Sequence, residues 1–354
     1  MAVNSEFSVT TSTGAYGVRI GSGELASALA CAKVVVIDRA LRHLAVGFGG
    51  PVLEITADED TKTLAGCERL ILAMRAAGVR RGDHVLAVGG GAVQDVATFV
   101  ADVYMRGLPW SYVPTTLMAM ADSCIGGKSS INVGDVKNLV GGIYPPREVV
   151  VDPDLLASLS PSAMAAGFAE AGKIAFCRGD DAFDRYLDLF ARFDDDPEAL
   201  IAHVLRAKTW FVEVDEHDRK ERRLLNFGHT FGHALESSVD HAMSHGLAVA
   251  FGVLCACEHP RAAHTAGAER IAAHCRELLS RAAEVPTALA KFDADVYERA
   301  FRADKKHDAR AFHLILPDPG GAVAEVEVDR DTQGWATILD VTRRMLELVG
   351  SPGA

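Results

Sequence analysis

The sequence predicts two domains: a mostly parallel α/β domain over residues 1–152, and a mainly α-helical domain over residues 153–354. Three observations carry this. A length of 354 residues, 49% hydrophobic and 24% charged, suits a globular chain with two cores of ordinary size. Before about residue 150, short β-branched runs alternate with helical patterns, as βαβ units do. After it, apolar residues recur every three or four positions and strand-like runs nearly vanish.

In chain order, the strands of the first domain read as "KVVVID" (33–38), "PVLEIT" (51–56), "HVLAVGG" (84–90), "WSYVP" (110–114) and "EVVVD" (148–152). Each is short, rich in valine or isoleucine, and bounded by turn-forming residues. In the second domain, "PSAMAAGFAEAGKIAFC", "PEALIAHVLRAKTWFVEVDEHD", "HGLAVAFGVLCACEH" and "AERIAAHCRELLSRAAE" carry helical periodicity. The acidic "DDDPE" (194–198) reads as an exposed loop before a helix, and "AFHLILP" (311–317) as a strand or hairpin arm.

Charge and cysteine usage narrow the function classes. A formal net charge of −12 argues against a nucleic-acid partner. The chain shows neither a secretory-type start nor a run of about 18 apolar residues, so a cytoplasmic protein with no membrane association is expected. The seven cysteines are odd in number and scattered without a C-x-x-C, which predicts free thiols.

The strand "VLAVG" runs into Gly89, Gly90 and Gly91 and then into a helix. Bare backbone amides at a helix amino end can approach a phosphate, so this turn is a candidate nucleotide site of Rossmann-like kind. It departs from the standard dinucleotide fingerprint, which would need glycine where Gln94 stands. Asp38, at the end of the first of these strands, can accept from a ribose or adenine edge, or simply cap a turn; Glu59 and Lys62 follow one helical turn apart.

The densest polar stretch runs over residues 104–146 and holds Arg106, Asp122, Lys128, Lys137 and Asn138 among glycines and prolines. Its lysines are isolated among small polar residues, the pattern of a site that meets a small anion with point charges. Cations recur at Lys173, Lys208, Arg222, Lys305 and Lys306.

In "LNFGHTFGHALE" (225–236), His229 and His233 stand four apart on a helical pattern, so both imidazoles share a face. A zinc-protease helix needs glutamate directly after the first histidine, where this chain has Thr230, so that class is disfavoured. His245 in "SHGLAVAFG" and Glu170, three residues before Lys173, complete a possible donor set. One carboxylate and two imidazoles suit zinc or a similar divalent ion, and spacing alone leaves open which histidines bind.

Eight motifs in order, from GGGxxxD (Gly89 to Asp95) through "VPTT" (113–116), "GGKSSIN", "KNLVG", "AExxK" (169–173), "RxLLNFGHTFGHALE" (222–236) and "HGxAVAxG" (245–252) to "DKK" (304–306), resemble the sugar phosphate cyclases, most closely the 3-dehydroquinate synthase branch. The resemblance runs from about Asp38 to Pro317. It implies a Rossmann-like nucleotide-binding domain followed by a helical metal-binding domain, NAD and a divalent metal (zinc or cobalt) as cofactors, a sugar phosphate substrate and a homodimer.

Carried over by position, the resemblance implies metal ligation by Glu170, His229 and His245, with His233 facing the substrate near its leaving phosphate. It implies an NAD site of Asp38, Glu59, Lys62, Gly89, Gly90, Gly91, Asp95, Thr115, Thr116 and Lys137. Catalytic or substrate contacts would come from Asp122, Lys128, Asn138, Lys173, Lys208, Arg222, Asn226 and Lys306, with Arg106 reaching the partner subunit's site. The implied reaction oxidises a ring hydroxyl with NAD, eliminates phosphate, reduces the ketone again and closes a carbocycle by aldol addition, so NAD ends unchanged.

Arg222, Asn226 and Lys306 keep the pattern expected for a carboxylated 3-deoxy-heptulosonate 7-phosphate, because a buried guanidinium without its anion is costly. Sedoheptulose 7-phosphate, glucose 6-phosphate or an amino analogue is the alternative substrate class. Departures from the family pattern are Gln94 for a glycine, "KSSIN" for "KTGIN", and Leu247 for a glutamate two residues after His245. Readings from other classes are a polyol dehydrogenase, which would consume NAD, and a catalytically dead homologue, which should have lost one of Glu170, Lys173, His229 or His245.

Overall fold

The computed structural model describes residues 5–134 and 136–350. In chain order the strands are β1 (Ser5–Thr11), β2 (Gly14–Ile20), β3 (Val34–Asp38), β4 (Val52–Ile55), β5 (Val85–Gly89), β6 (Trp110–Pro114), β7 (Ile131–Val133), β8 (Val136–Val140), β9 (Glu148–Val151), β10 (Ala311–Pro317) and β11 (Val323–Asp329). The α-helices are α1 (Leu25–Cys31), α2 (Leu64–Ala76), α3 (Gly91–Val103), α4 (Pro161–Arg178), α5 (Asp180–Phe190), α6 (Pro197–Val214), α7 (His229–Ser238), α8 (His245–Glu258), α9 (Ala266–Ser280), α10 (Val285–Leu289), α11 (Ala294–Arg302) and α12 (Thr332–Gly350). Among the described residues no helix is long and apolar enough to cross a membrane.

Two compact units form: Met1–Leu159 with Phe193–Glu216, and Ser160–Arg192 with His217–Ala354. The first therefore includes α6, which the sequence pattern groups with the helical domain. The reason is local: α6 packs on β1 and on the Ala119–Ser123 turn, and Glu213, near its end, accepts the backbone N–H of Thr10 at 2.9 Å.

The first unit is Rossmann-like, with a seven-stranded sheet in the order β1-β2-β9-β6-β5-β3-β4. All pairs are parallel except the β1–β2 hairpin. Its valine-rich strands bury both faces, and Val35, Ile37, Leu86, Val88, Val113 and Val150 form one core layer with Ala28 of α1. From β3 the chain adds β4 on one side and β5 on the other, which places a topological switch between β3 and β5. Ligands of open α/β sheets bind outside the strand carboxyl ends at such a switch.

The second unit is mainly helical, with the β10–β11 hairpin as its antiparallel pair, so "AFHLILP" is a strand as expected. Helix α8 is its axis: every residue from Gly246 to Cys257 is buried, as befits a helix apolar all round. Glycine lets neighbouring helices come close. A Cβ on Gly246 would stand 2.2 Å from the Ala166 carbonyl oxygen of α4, and one on Gly252 would stand 1.9 Å from the Gly228 carbonyl oxygen, just before α7. Side-chain-free contacts thus press the start of α8 against α4 and its middle against α7.

Candidate active site

In the first unit, the carboxyl ends of β3, β5 and β6 bring together residues far apart in sequence. Asp38 ends β3, and its Oδ1 accepts the Ala40 N–H at 3.1 Å, capping the 3₁₀ turn Arg39–Ala45. Gly89 ends β5, Gly90 caps α3, and Gly91 is its first residue. The Thr115 N–H donates to the Gly89 carbonyl at 3.0 Å. A Cβ on Gly90 would lie 3.2 Å from Thr116 Cγ2, so the backbone is bare where a phosphate would meet the helix end.

One turn into α3, Asp95 accepts the Ser130 N–H at 2.9 Å and pairs with the buried Lys62 ammonium at 2.8 Å. Burial raises the Asp95 carboxyl to about 6 against the pull of Lys62. Glu59 is exposed, yet the buried Asn132 holds its Oε2 at 2.7 Å. Asn132 escapes sequence reading, because nothing local signals a partner 73 positions away.

Gln94 has a structural reason. Its amide donates to the Ser123 carbonyl at 2.7 Å and accepts from the Ser123 hydroxyl at 2.6 Å, tying α3 to the Ala119–Ser123 turn. Beside that tie, Asp122 Oδ1 meets the buried Lys208 ammonium of α6 at 2.6 Å. Arg106, Lys128, Lys137 and Asn138 are exposed; Arg106 (φ 68°) and Asn138 (φ 55°) have left-handed backbones. Of the other departures, the Ser129 hydroxyl accepts the Gly142 N–H at 3.1 Å.

In the second unit, α4 carries Glu170 and Lys173, both almost fully buried, with Lys173 Nζ 2.6 Å from Glu170 Oε2. The other oxygen, Oε1, lies 3.2 Å from His245 Nε2 and 3.6 Å from His229 Nε2. Burial would raise Glu170, but Lys173 and the two imidazoles hold it well below the usual carboxylate range. Burial and Lys173 push His229 well down. His245 is raised to about 9, because Glu170 and Glu236 overcome the opposing effect of burial.

Ligand atoms of His229, His233 and His245 all lie within 4.8 Å of one another, so distance alone admits any of the three as a ligand. Their second ring nitrogens differ. His229 Nδ1 lies 3.2 Å from the Phe227 carbonyl, and His245 Nδ1 lies 3.3 Å from Glu236 Oε2. Such partners fix an imidazole with Nε2 presented to a metal. Among the described residues, neither ring nitrogen of His233 has such a hydrogen bond, and its side chain reaches the surface. The protein atoms crowding that ring, then repulsion from His245 and Lys306, lower it to about 4.

Glu170, His229 and His245 therefore fit a divalent ion: a buried carboxylate whose Oε1 faces the Nε2 atoms of both imidazoles, and two imidazoles oriented from behind. In the same unit, Arg222 is buried in the Glu221–Asn226 turn, and Asn226 donates to the Arg223 carbonyl at 2.9 Å. Lys306 pairs with Asp304 at 2.6 Å. Leu247 is fully buried in α8, so core packing replaces the charge that the pattern expects.

Two sequence profiles match this chain: 3-dehydroquinate synthase N-terminal over residues 52–166, and 3-dehydroquinate synthase C-terminal over residues 167–307. A 3-dehydroquinate synthase of Paracoccus denitrificans is 37% identical over 344 residues, which are 89% of this chain and 93% of that protein. The chain belongs to the 3-dehydroquinate synthase family. The match to the 3-dehydroquinate synthase of Lactiplantibacillus plantarum is 42% identical but spans 60% of each protein. A solved 2-epi-5-epi-valiolone synthase from Streptomyces hygroscopicus, with NAD+ and Zn2+ bound, superposes with a TM-score of 0.75 at 26% identity, covering 93% of this chain and 97% of that one.

Proposed function

We propose that this family member is an NAD- and metal-dependent cyclase of the 3-dehydroquinate synthase type, which eliminates phosphate from a 3-deoxy-heptulosonate 7-phosphate to form a carbocycle. The observation that carries this is the Glu170 carboxylate with the Nε2 atoms of His229 and His245 converging on one of its oxygens. The bare glycine turn at the switch of the parallel sheet supports NAD in the first unit. The relatives' activity and the NAD+ and Zn2+ of the valiolone synthase support the same reading.

When bound, NAD supplies a reversible hydride acceptor and the ion supplies Lewis acidity. The chain's own groups bind and move protons. Lys173 keeps Glu170 ionised and places an ammonium beside the donor set. Asp122, held by Lys208, is an oriented proton acceptor, and His233, neutral at ordinary pH, can accept a proton near the leaving phosphate. Arg222 suits a carboxylate, which it can grip through two parallel hydrogen bonds, with Asn226 and Lys306 as further contacts. Lys128 and Asn138 are further substrate contacts, and Lys137 is a cofactor contact. Arg106, exposed at the end of the Tyr104–Arg106 turn, suits contact with the partner of a homodimer. We place the enzyme in the cytoplasm.

The test is to incubate purified protein with NAD and zinc or cobalt against seven- and six-carbon sugar phosphates, scoring phosphate release and product mass. Faster release from sedoheptulose 7-phosphate or glucose 6-phosphate would move the protein to another branch of the cyclases. Accumulation of NADH, one for each substrate consumed, would favour a polyol dehydrogenase.

A further inference from the structure

Asn132 is 7% exposed, yet both ends of its amide serve exposed residues. Its Nδ2 donates to Glu59 Oε2 at 2.7 Å, and its Oδ1 accepts the Asn138 backbone N–H at 2.9 Å. Asn138 sits in the left-handed region at φ 55°, a conformation that the accepted N–H helps to hold. The Asn132 backbone is anchored as well, its N–H donating to the Lys62 carbonyl at 2.8 Å. Two positions upstream, the Ser130 N–H donates to Asp95. One buried amide thus joins the segment of Glu59 and Lys62 to the Lys137 and Asn138 stretch of β8.

Core stability does not require this arrangement, since an apolar residue could fill a buried site without demanding two polar partners. What the amide achieves is orientation: it aims an exposed carboxylate and fixes an exposed, left-handed residue of β8 at the same time. We propose that Asn132 is a positioning residue that couples nucleotide occupancy at Glu59 to the pose of β8 at Lys137 and Asn138. The proposal rests on the reading that the first unit binds NAD.

The test uses the full-length protein, NAD+ titrations and hydrogen exchange at the Asn138 amide. N132D keeps an acceptor for Asn138 but sets a carboxylate against Glu59. At about pH 7.5 it should bind NAD+ about tenfold more weakly than wild type, the scale of losing one hydrogen bond to a charged group. At about pH 5.5 two carboxyls so close share a proton, and one can again donate, so the ratio of variant to wild-type affinity should recover. Taking the ratio at each pH removes the effect of Asp95, which titrates near 6 beside Lys62 in both proteins. N132A should show no acid recovery.

NAD+ should slow exchange of the Asn138 amide in wild type. In N132D that amide should remain protected without NAD+ but lose its response to NAD+. If NAD+ affinity is unchanged in N132D, or its Asn138 amide responds to NAD+ as in wild type, the coupling role is wrong. If wild type binds no NAD+, the nucleotide reading fails and takes the coupling with it. Should N132A fail to fold, N132D alone decides.

Discussion

Glu236 Oε2 lies 3.3 Å from His245 Nδ1, which turns the opposite nitrogen of that ring, Nε2, toward Glu170. A carboxylate behind an imidazole fixes both its tautomer and its direction. His229 has the Phe227 carbonyl in the same role, and His233 has no counterpart among the described residues.

The histidines should therefore divide by metal content. H229A, H245A and E170A should lose bound zinc or cobalt on dialysis, whereas H233A should retain it and turn over slowly. E236A should bind metal about ten- to a hundredfold more weakly, the usual effect of removing such an outer partner. Elemental analysis of dialysed protein checks this, and complete metal loss in H233A would contradict the division.

The close approach of α7 and α8 makes Gly252 critical. In G252A the new Cβ would stand 1.9 Å from the Gly228 carbonyl oxygen and 2.7 Å from the Gly232 nitrogen, both backbone atoms. The helices must separate, at a cost of about 3 kcal/mol, and the metal site should loosen with them. Urea unfolding should show the loss. G49A, where a Cβ meets nothing within 4 Å, should stay within about 0.5 kcal/mol of wild type.

Asp95 gives stability a pH signature. Its folded pKa of about 6 exceeds the unfolded value of about 4, so the folded chain binds the proton more tightly. The stability this group contributes is complete below about pH 4 and is lost as pH rises to about 6. Relative to D95N, wild type should lose on the order of 3 kcal/mol across that window, because a tenfold difference in proton affinity is worth about 1.4 kcal/mol. Urea melts of both proteins from about pH 4 to 7 test this, and a constant difference between them would contradict it.

Arg222 carries the substrate preference. R222A should lose most discrimination between a heptulosonate phosphate and sedoheptulose 7-phosphate, about ten- to a hundredfold in kcat/KM, the worth of a charge-assisted contact. NAD+ and metal binding should stay near wild type. Unchanged discrimination would place the carboxylate elsewhere.

Much of the fold is legible in the sequence, for physical reasons. Parallel strands such as Val34–Asp38 and Val85–Gly89 are buried on both faces, so their β-branched runs announce them. The β1–β2 hairpin mixes glycine, serine and threonine with few apolar residues, so it carries no comparable signal. The β7–β8 hairpin hides among the small polar residues of 104–146. Helix α6 reads as a helix, but its attachment to the first unit depends on contacts with β1, and Lys208 meets Asp122 only through them. Asn132 and Glu236 stay hidden for one reason: each acts through a hydrogen bond to a residue that no local pattern links to it.

Recycling of NAD during cyclisation is the core of the proposed mechanism, and counting turnovers tests it. Protein loaded with zinc and a single equivalent of NAD+ is given excess 3-deoxy-heptulosonate 7-phosphate, while inorganic phosphate and absorbance of reduced cofactor are followed together. Many phosphates should be released per NAD+, with no net NADH at the end. Phosphate release that stops after one turnover, or NADH that rises in step with substrate consumed, would show that the cofactor is not recycled.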